Sequence, residues 1–163
     1  MDKYIRKFNE ITIADMASVG GKNASLGEMF SKLSQKGIAV PDGFATTAFA
    51  FEEFLTHNSL QVPLLELMKQ IDRKNFSNLK ETGAKARKLI QESEIPNDLV
   101  LAIIKAYKIL CHNNYFEVAV RSSATAEDLP QASFAGQHES YLNIKGEEAL
   151  IGAIKKCFTS LYT

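Results

Sequence analysis

The spacing of apolar residues changes once along this chain, and that change decides the fold class. From Ala48 to Cys111 apolar side chains return at the three- and four-residue intervals that line one face of an α-helix. Ala48, Phe51, Phe54 and Leu55 form one stripe. Leu64, Leu67, Met68 and Ile71 form the next, with Pro63 suited to a first helical position. Leu79, Ala86, Leu89 and Ile90 follow a Ser77 or Asn78 cap, and Val100, Ile103, Ile104, Tyr107 and Cys111 follow Pro96-Asn97. At Phe116 the interval drops to two. Phe116, Val118 and Val120 alternate with Glu117, Ala119 and Arg121, as in a half-buried strand. A second strand is expected at about 138–144. Gly146-Glu147-Glu148 then opens a helix with Leu150, Ile154, Cys157, Phe158 and Leu161 inward, expected to run to the final residue as though the chain were cut there. Helices and strands in this arrangement predict a mixed α+β domain, with a helical segment at about 47–112 between short strands.

The first third reads less sharply. Residues 4–8 and 9–13 alternate loosely, as a strand or a hairpin. After Gly20-Gly21, Leu26, Met29, Phe30 and Leu33 occupy one helical face, and Gly37 is placed to end that helix in a left-handed conformation. Ile38-Ala39-Val40 reads as a short strand broken by the turn Pro41-Asp42-Gly43, and Phe44 to Thr46 reads as extended.

Charge and cysteine content narrow the function classes. Lys plus Arg and Asp plus Glu both number 19, so the formal net charge is zero, unlike the basic excess of a nucleic-acid surface. Residues 1–12 carry no apolar core of a signal peptide, and no apolar run approaches the roughly 20 residues that span a bilayer. Neither nucleic acid nor membrane is therefore an expected partner. Cys111 and Cys157 fall in apolar stripes, without ligand partners at metal spacing; they read as buried free thiols of a cytoplasmic protein.

Two segments stand apart from the packing pattern. In Val19-Gly20-Gly21-Lys22-Asn23, two glycines admit close backbone approach, a helix N-terminus follows, and Lys22 adds a full positive charge. The combination suits a phosphate. The same residues also fit a glycine turn opening an amphipathic helix with a surface lysine. The segment is not a Walker A loop, which needs glycine where Met16 stands and Ser or Thr where Asn23 stands. The second segment runs from Val120 to Gln137. Arg121 ends the strand with a side chain able to grip phosphate oxygens in a bidentate manner. Ser122, Ser123, Thr125 and Ser133 supply hydroxyls, and Ala135, Gly136 and Gln137 close a sixteen-residue loop anchored by Phe134. An ordinary surface loop beside a salt-bridged arginine is the competing interpretation. Glu127 and Asp128 read as solvated carboxylates rather than metal ligands. His57, His112 and His138 lie far apart in sequence, and no GxSxG, HExxH or CxxC occurs.

Taken in order, VGGKNASLGEM, VPDGFATTAFAFEEFL and AVRSSATAEDLPQASFAGQ resemble the N-terminal region of the phosphoenolpyruvate synthase family. The resemblance implies residues 1–163 as the first part of an ATP-grasp-like nucleotide-binding domain. The family makes phosphoenolpyruvate from pyruvate, ATP and water through a phosphohistidine, with magnesium required. It further implies that Lys22 and Arg121 contact the ATP phosphates, and that Gly136 and Gln137 belong to the loop closing over them. The family's phosphohistidine segment, acidic Mg2+ ligands and pyruvate domain have no counterpart here. These residues alone are thus expected to be inactive, as part of an enzyme whose complete form is expected as a homodimer. Rifampin phosphotransferases and pyruvate phosphate dikinases resemble the same region and stand as alternatives, together with a non-catalytic nucleotide-binding module.

Overall fold

The computed structural model describes residues 2–123 and 139–162. Strands β1 (Ile5–Lys7), β2 (Phe44–Thr46), β3 (Val118–Arg121) and β4 (Ser140–Ile144) are joined by helices α1 (Met16–Val19), α2 (Gly21–Leu33), α3 (Ala48–His57), α4 (Gln61–Lys69), α5 (Leu79–Glu92), α6 (Asn97–Leu110) and α7 (Glu147–Ser160). The expected mixed α+β class holds. Among the described residues the strands form two antiparallel pairs, β1 with β2 and β3 with β4.

Of the strand or hairpin expected within residues 4–13, β1 bears out the strand, and its pairing with β2 replaces the hairpin. β1 finds its partner across the chain, with Ile5 opposite Thr46 and Lys7 opposite Phe44. Residues 8–10 and 13–15 instead form single 3-10 turns. The second turn is drawn in by Asp15, whose carboxylate accepts from the Thr12 amide at 2.8 Å and the Thr12 hydroxyl at 3.0 Å. Thr47 then fixes α3 to the ribbon. Its hydroxyl donates to Lys3 O at 2.7 Å and accepts from the Ala50 amide at 3.2 Å as a helix cap.

Helix α2 packs differently from the expected stripe. Its buried positions are Gly21, Ala24 and Gly27, whereas Met29 is 42% exposed and Leu26, Phe30 and Leu33 are half-buried. Small residues are needed because the chain at Ile11 presses directly on the helix. A Cβ on Gly27 would stand 2.6 Å from the Ile11 carbonyl oxygen. The helix relaxes into a 3-10 turn at Ser34–Lys36, and Gly37, at φ 76°, ends it as expected. Ile38-Ala39-Val40 is not a strand; Ile38 is exposed, and β1 pairs with β2 instead.

The helical stripes of the middle third are largely as read. Pro63 is the third rather than the first residue of α4. Asn78 precedes α5 without capping it, because its side chain accepts from the Asp72 amide and donates to Gln70 O. Leu79 is exposed, and Thr82 takes the inward place beside Ala86 and Ile90. Helix α7 closes at Ser160 in a turn rather than continuing to the last residue, and Leu161 is exposed.

Two apolar clusters result. The larger joins α3 to α7 around Phe54, Ile90, Leu99, Ile103 and Tyr107. Phe158 stacks obliquely on Phe51 and Phe54, at 5.0 and 5.4 Å between ring centres. The smaller comprises Phe8, Ile11, Val19, Ala24 and Ala45 beneath α2.

Candidate functional site

Between the clusters lies a cavity of about 680 Å³. Phe8, Val19 and Ala45 of the smaller cluster form one wall, and Tyr107, Leu150, Ile154 and Phe158 of the larger form another. Part of its polar lining comes from the two segments that the sequence sets apart: Asn23 on α2, and Arg121, Ser122 and Ser123 at and just past the end of β3.

These segments meet because glycine allows it. Gly20 separates α1 from α2 with φ 80° and ψ 159°, a conformation open essentially to glycine alone. The backbone of Ser123 lies so close that a Cβ on Gly20 would stand 2.5 Å from the Ser123 carbonyl oxygen. The Asn23 amide donates to Ser123 Oγ at 3.3 Å, and the Asn23 carboxamide donates back to Val19 O at 2.8 Å. Lys22 is the exposed second residue of α2, beside Asn23 and next to buried Gly21. Arg121 is exposed at the end of β3, opposite Ser140 in the ladder. The chain segments that carry the two cations therefore touch at Ser123, two residues past Arg121, and of the two cations Arg121 lines the cavity whereas Lys22 does not.

Ser122 is different in kind. It is 5% exposed, its amide donates to Glu139 O at 3.4 Å, and its hydroxyl oxygen has no hydrogen-bond partner among the described residues. Asp42, Glu52 and Glu117 also line the cavity, where Arg121 is the one cation among the described residues. An anionic ligand is thereby restricted to the end built by residues 121–123 and α2.

Two cavity residues received only packing roles from the sequence. The Tyr107 hydroxyl donates to Phe116 O at 2.9 Å and accepts from the Gly146 amide at 3.2 Å, tying the approach to β3 to the start of α7. Burial pushes that hydroxyl above the ordinary tyrosine range. Burial, with Glu139 adding to it, pushes the Cys157 thiol up to about 12. A tyrosine in an apolar stripe gives no sequence signal of a hydroxyl that bridges elements.

Thr125, Glu127, Asp128, Ser133, Phe134, Ala135, Gly136, Gln137 and His138 lie outside the described residues. Among the described residues, no group of three or more His, Cys, Asp or Glu is arranged to hold a metal ion. No helix among them is long and apolar enough to cross a membrane.

Residues 16–163 match the family described as pyruvate phosphate dikinase, AMP/ATP-binding domain. Over 163 residues the chain is 45% identical to the phosphoenolpyruvate synthase of Synechocystis, covering 96% of this chain and 20% of that protein. It is 47% identical over 164 residues to the phosphoenolpyruvate synthase of Helicobacter pylori, covering 99% and 20%. It is 46% identical over 164 residues to a probable phosphoenolpyruvate synthase of Methanocaldococcus jannaschii, covering 99% and 14%. The chain thus spans about a fifth or less of the length of these relatives.

Proposed function

The chain belongs to the pyruvate phosphate dikinase AMP/ATP-binding domain family, and from that premise we propose that residues 1–163 are the N-terminal part of the ATP-binding domain of a phosphoenolpyruvate synthase. Such an enzyme converts pyruvate, ATP and water to phosphoenolpyruvate, AMP and phosphate, with magnesium, through a phosphohistidine carried elsewhere. The ATP-grasp architecture, the pyruvate site, a homodimeric complete enzyme and a cytoplasmic setting belong to this reading. The names of the relatives support it, as do two buried free thiols for the setting. These residues alone do not complete the reaction.

The observation that carries the reading is the contact between Ser123 and the Gly20–Asn23 turn. It brings together two short segments, distant in the chain, each with one cation and several small or hydroxylated residues. In this reading Lys22 and Arg121 neutralise the polyphosphate from the two elements. Gly20 and Gly21 keep the helix entry narrow, while Asn23 and Ser122 offer polar groups along the ligand. Thr125, Ser133, Gly136 and Gln137 serve the closing loop. Phosphoryl transfer needs little covalent chemistry from protein; it needs charge and alignment. Two cations on abutting elements supply the first and begin the second.

Calorimetric titration with ATP tests the site. Lys22→Ala and Arg121→Ala should each weaken binding by about tenfold or more, the scale of one charge-assisted contact, with the far-ultraviolet circular dichroism unchanged. In a complete enzyme the same changes should slow ATP turnover by roughly 10²–10³. Unaltered affinity in both variants overturns the assignment.

A further inference from the structure

Helix α2 begins without a side chain to cap it. Gly20 occupies the capping position, where Ser, Thr, Asp or Asn would satisfy the amide of the third helical residue. That third residue is Asn23, and its amide is satisfied from 100 positions later by Ser123 Oγ, at 3.3 Å. The fit leaves no room for a local substitute. A Cβ on Gly20 would lie 2.4 Å from the Ser123 hydroxyl oxygen and 2.8 Å from the Ser123 carbonyl carbon. The Asn23 carboxamide, bonded to Val19 O at 2.8 Å, holds the break between α1 and α2 in the shape this cap requires.

We infer that Ser123 is a positioning residue, a long-range helix cap that sets the separation of Lys22 and Arg121. The inference rests on the nucleotide reading above and deepens it. Lys22 stands one residue before the capped amide, and Arg121 stands two residues before the cap. Little slack remains between the two backbones. The sequence suggests that Gly20 makes room for a phosphate and that the amides of α2 await one. The structure gives both features another use: Gly20 makes room for Ser123, and Ser123 already occupies the Asn23 amide. A phosphate is then met by side chains held at a fixed spacing, and reaches that amide only by displacing the serine.

Two measurements on Ser123→Ala and Ser123→Thr separate this role from general stability. Without nucleotide, hydrogen exchange of the Asn23 amide should quicken in Ser123→Ala by about threefold to tenfold, the scale of one neutral hydrogen bond, and return toward the parent rate in Ser123→Thr. Calorimetry should show ATP affinity falling by a similar factor in Ser123→Ala and recovering in Ser123→Thr. Unchanged Asn23 exchange in Ser123→Ala overturns the cap. Faster exchange with unchanged ATP affinity overturns the positioning role and leaves the nucleotide site standing. Absence of ATP binding by the parent chain overturns the nucleotide site, and positioning with it, while the exchange result still decides the cap.

Discussion

Ser122 holds a buried hydroxyl with no partner among the described residues, and a buried hydroxyl left unpaired ordinarily costs about 1–3 kcal/mol. Alanine at that position removes the unpaired group and keeps most of the volume. Ser122→Ala is therefore expected to leave unfolding in urea unchanged or to stabilise the chain by up to about 1 kcal/mol, while lowering ATP affinity. A loss of stability above about 1 kcal/mol would mean that the hydroxyl has a partner within the fold rather than in the ligand. The loop in which Ser122 sits is conspicuous in sequence by its length and small residues, but an unsatisfied oxygen is not. It depends on what surrounds the atom in space, and nothing in a run of serines and threonines distinguishes Ser122 from Ser123. One is buried with no partner among the described residues; the other caps a helix across the site.

The elements divide by how their neighbours are chosen. Helices α3 to α6 are legible because a helix buries a periodic stripe of its own residues, and the stripe survives whichever helix packs on it. Pairing of β1 with β2 is not legible, since three-residue strands carry almost no periodicity and their register follows distant contacts. Helix α2 shows how periodicity misleads. Its large apolar residues mark a plausible inward face, but the contact is too close for them, so Gly21, Ala24 and Gly27 go inward. Gly27→Ala tests this. The added methyl meets Ile11 at 2.6 Å from both its Cβ and its carbonyl oxygen, so it cannot be absorbed by turning one flexible side chain. Despite the better intrinsic helix propensity of alanine, the overpacked variant should lose about 1–3 kcal/mol in urea unfolding. A gain in stability would show that α2 can move away from Ile11, and that Gly27 is not required for close packing.

Across the whole molecule the cavity follows the seam between the two apolar clusters, so a ligand that fills it touches both. This makes binding a statement about cooperativity. A ligand that binds only the folded chain adds about 2.7 kcal/mol at a hundredfold excess over its Kd. For a chain of this size that corresponds to a rise of roughly 5–10 °C in the unfolding midpoint. If ATP binds at the seam, native-state hydrogen exchange should slow in both clusters, at the amides of Val19 and Ala24 and at those of Ile154 and Phe158. The gain should disappear when Lys22 and Arg121 are both alanine. Tyr107 gives a reason to expect the effect to spread, because its hydroxyl couples the approach to β3 to the first residues of α7, and β3 ends at the site. Slowing confined to the smaller cluster would place ATP on α2 alone, with Arg121 a bystander. Slowing confined to the larger would leave Lys22 without a ligand to neutralise. Only protection shared between the clusters is consistent with a phosphate held by the two cations together.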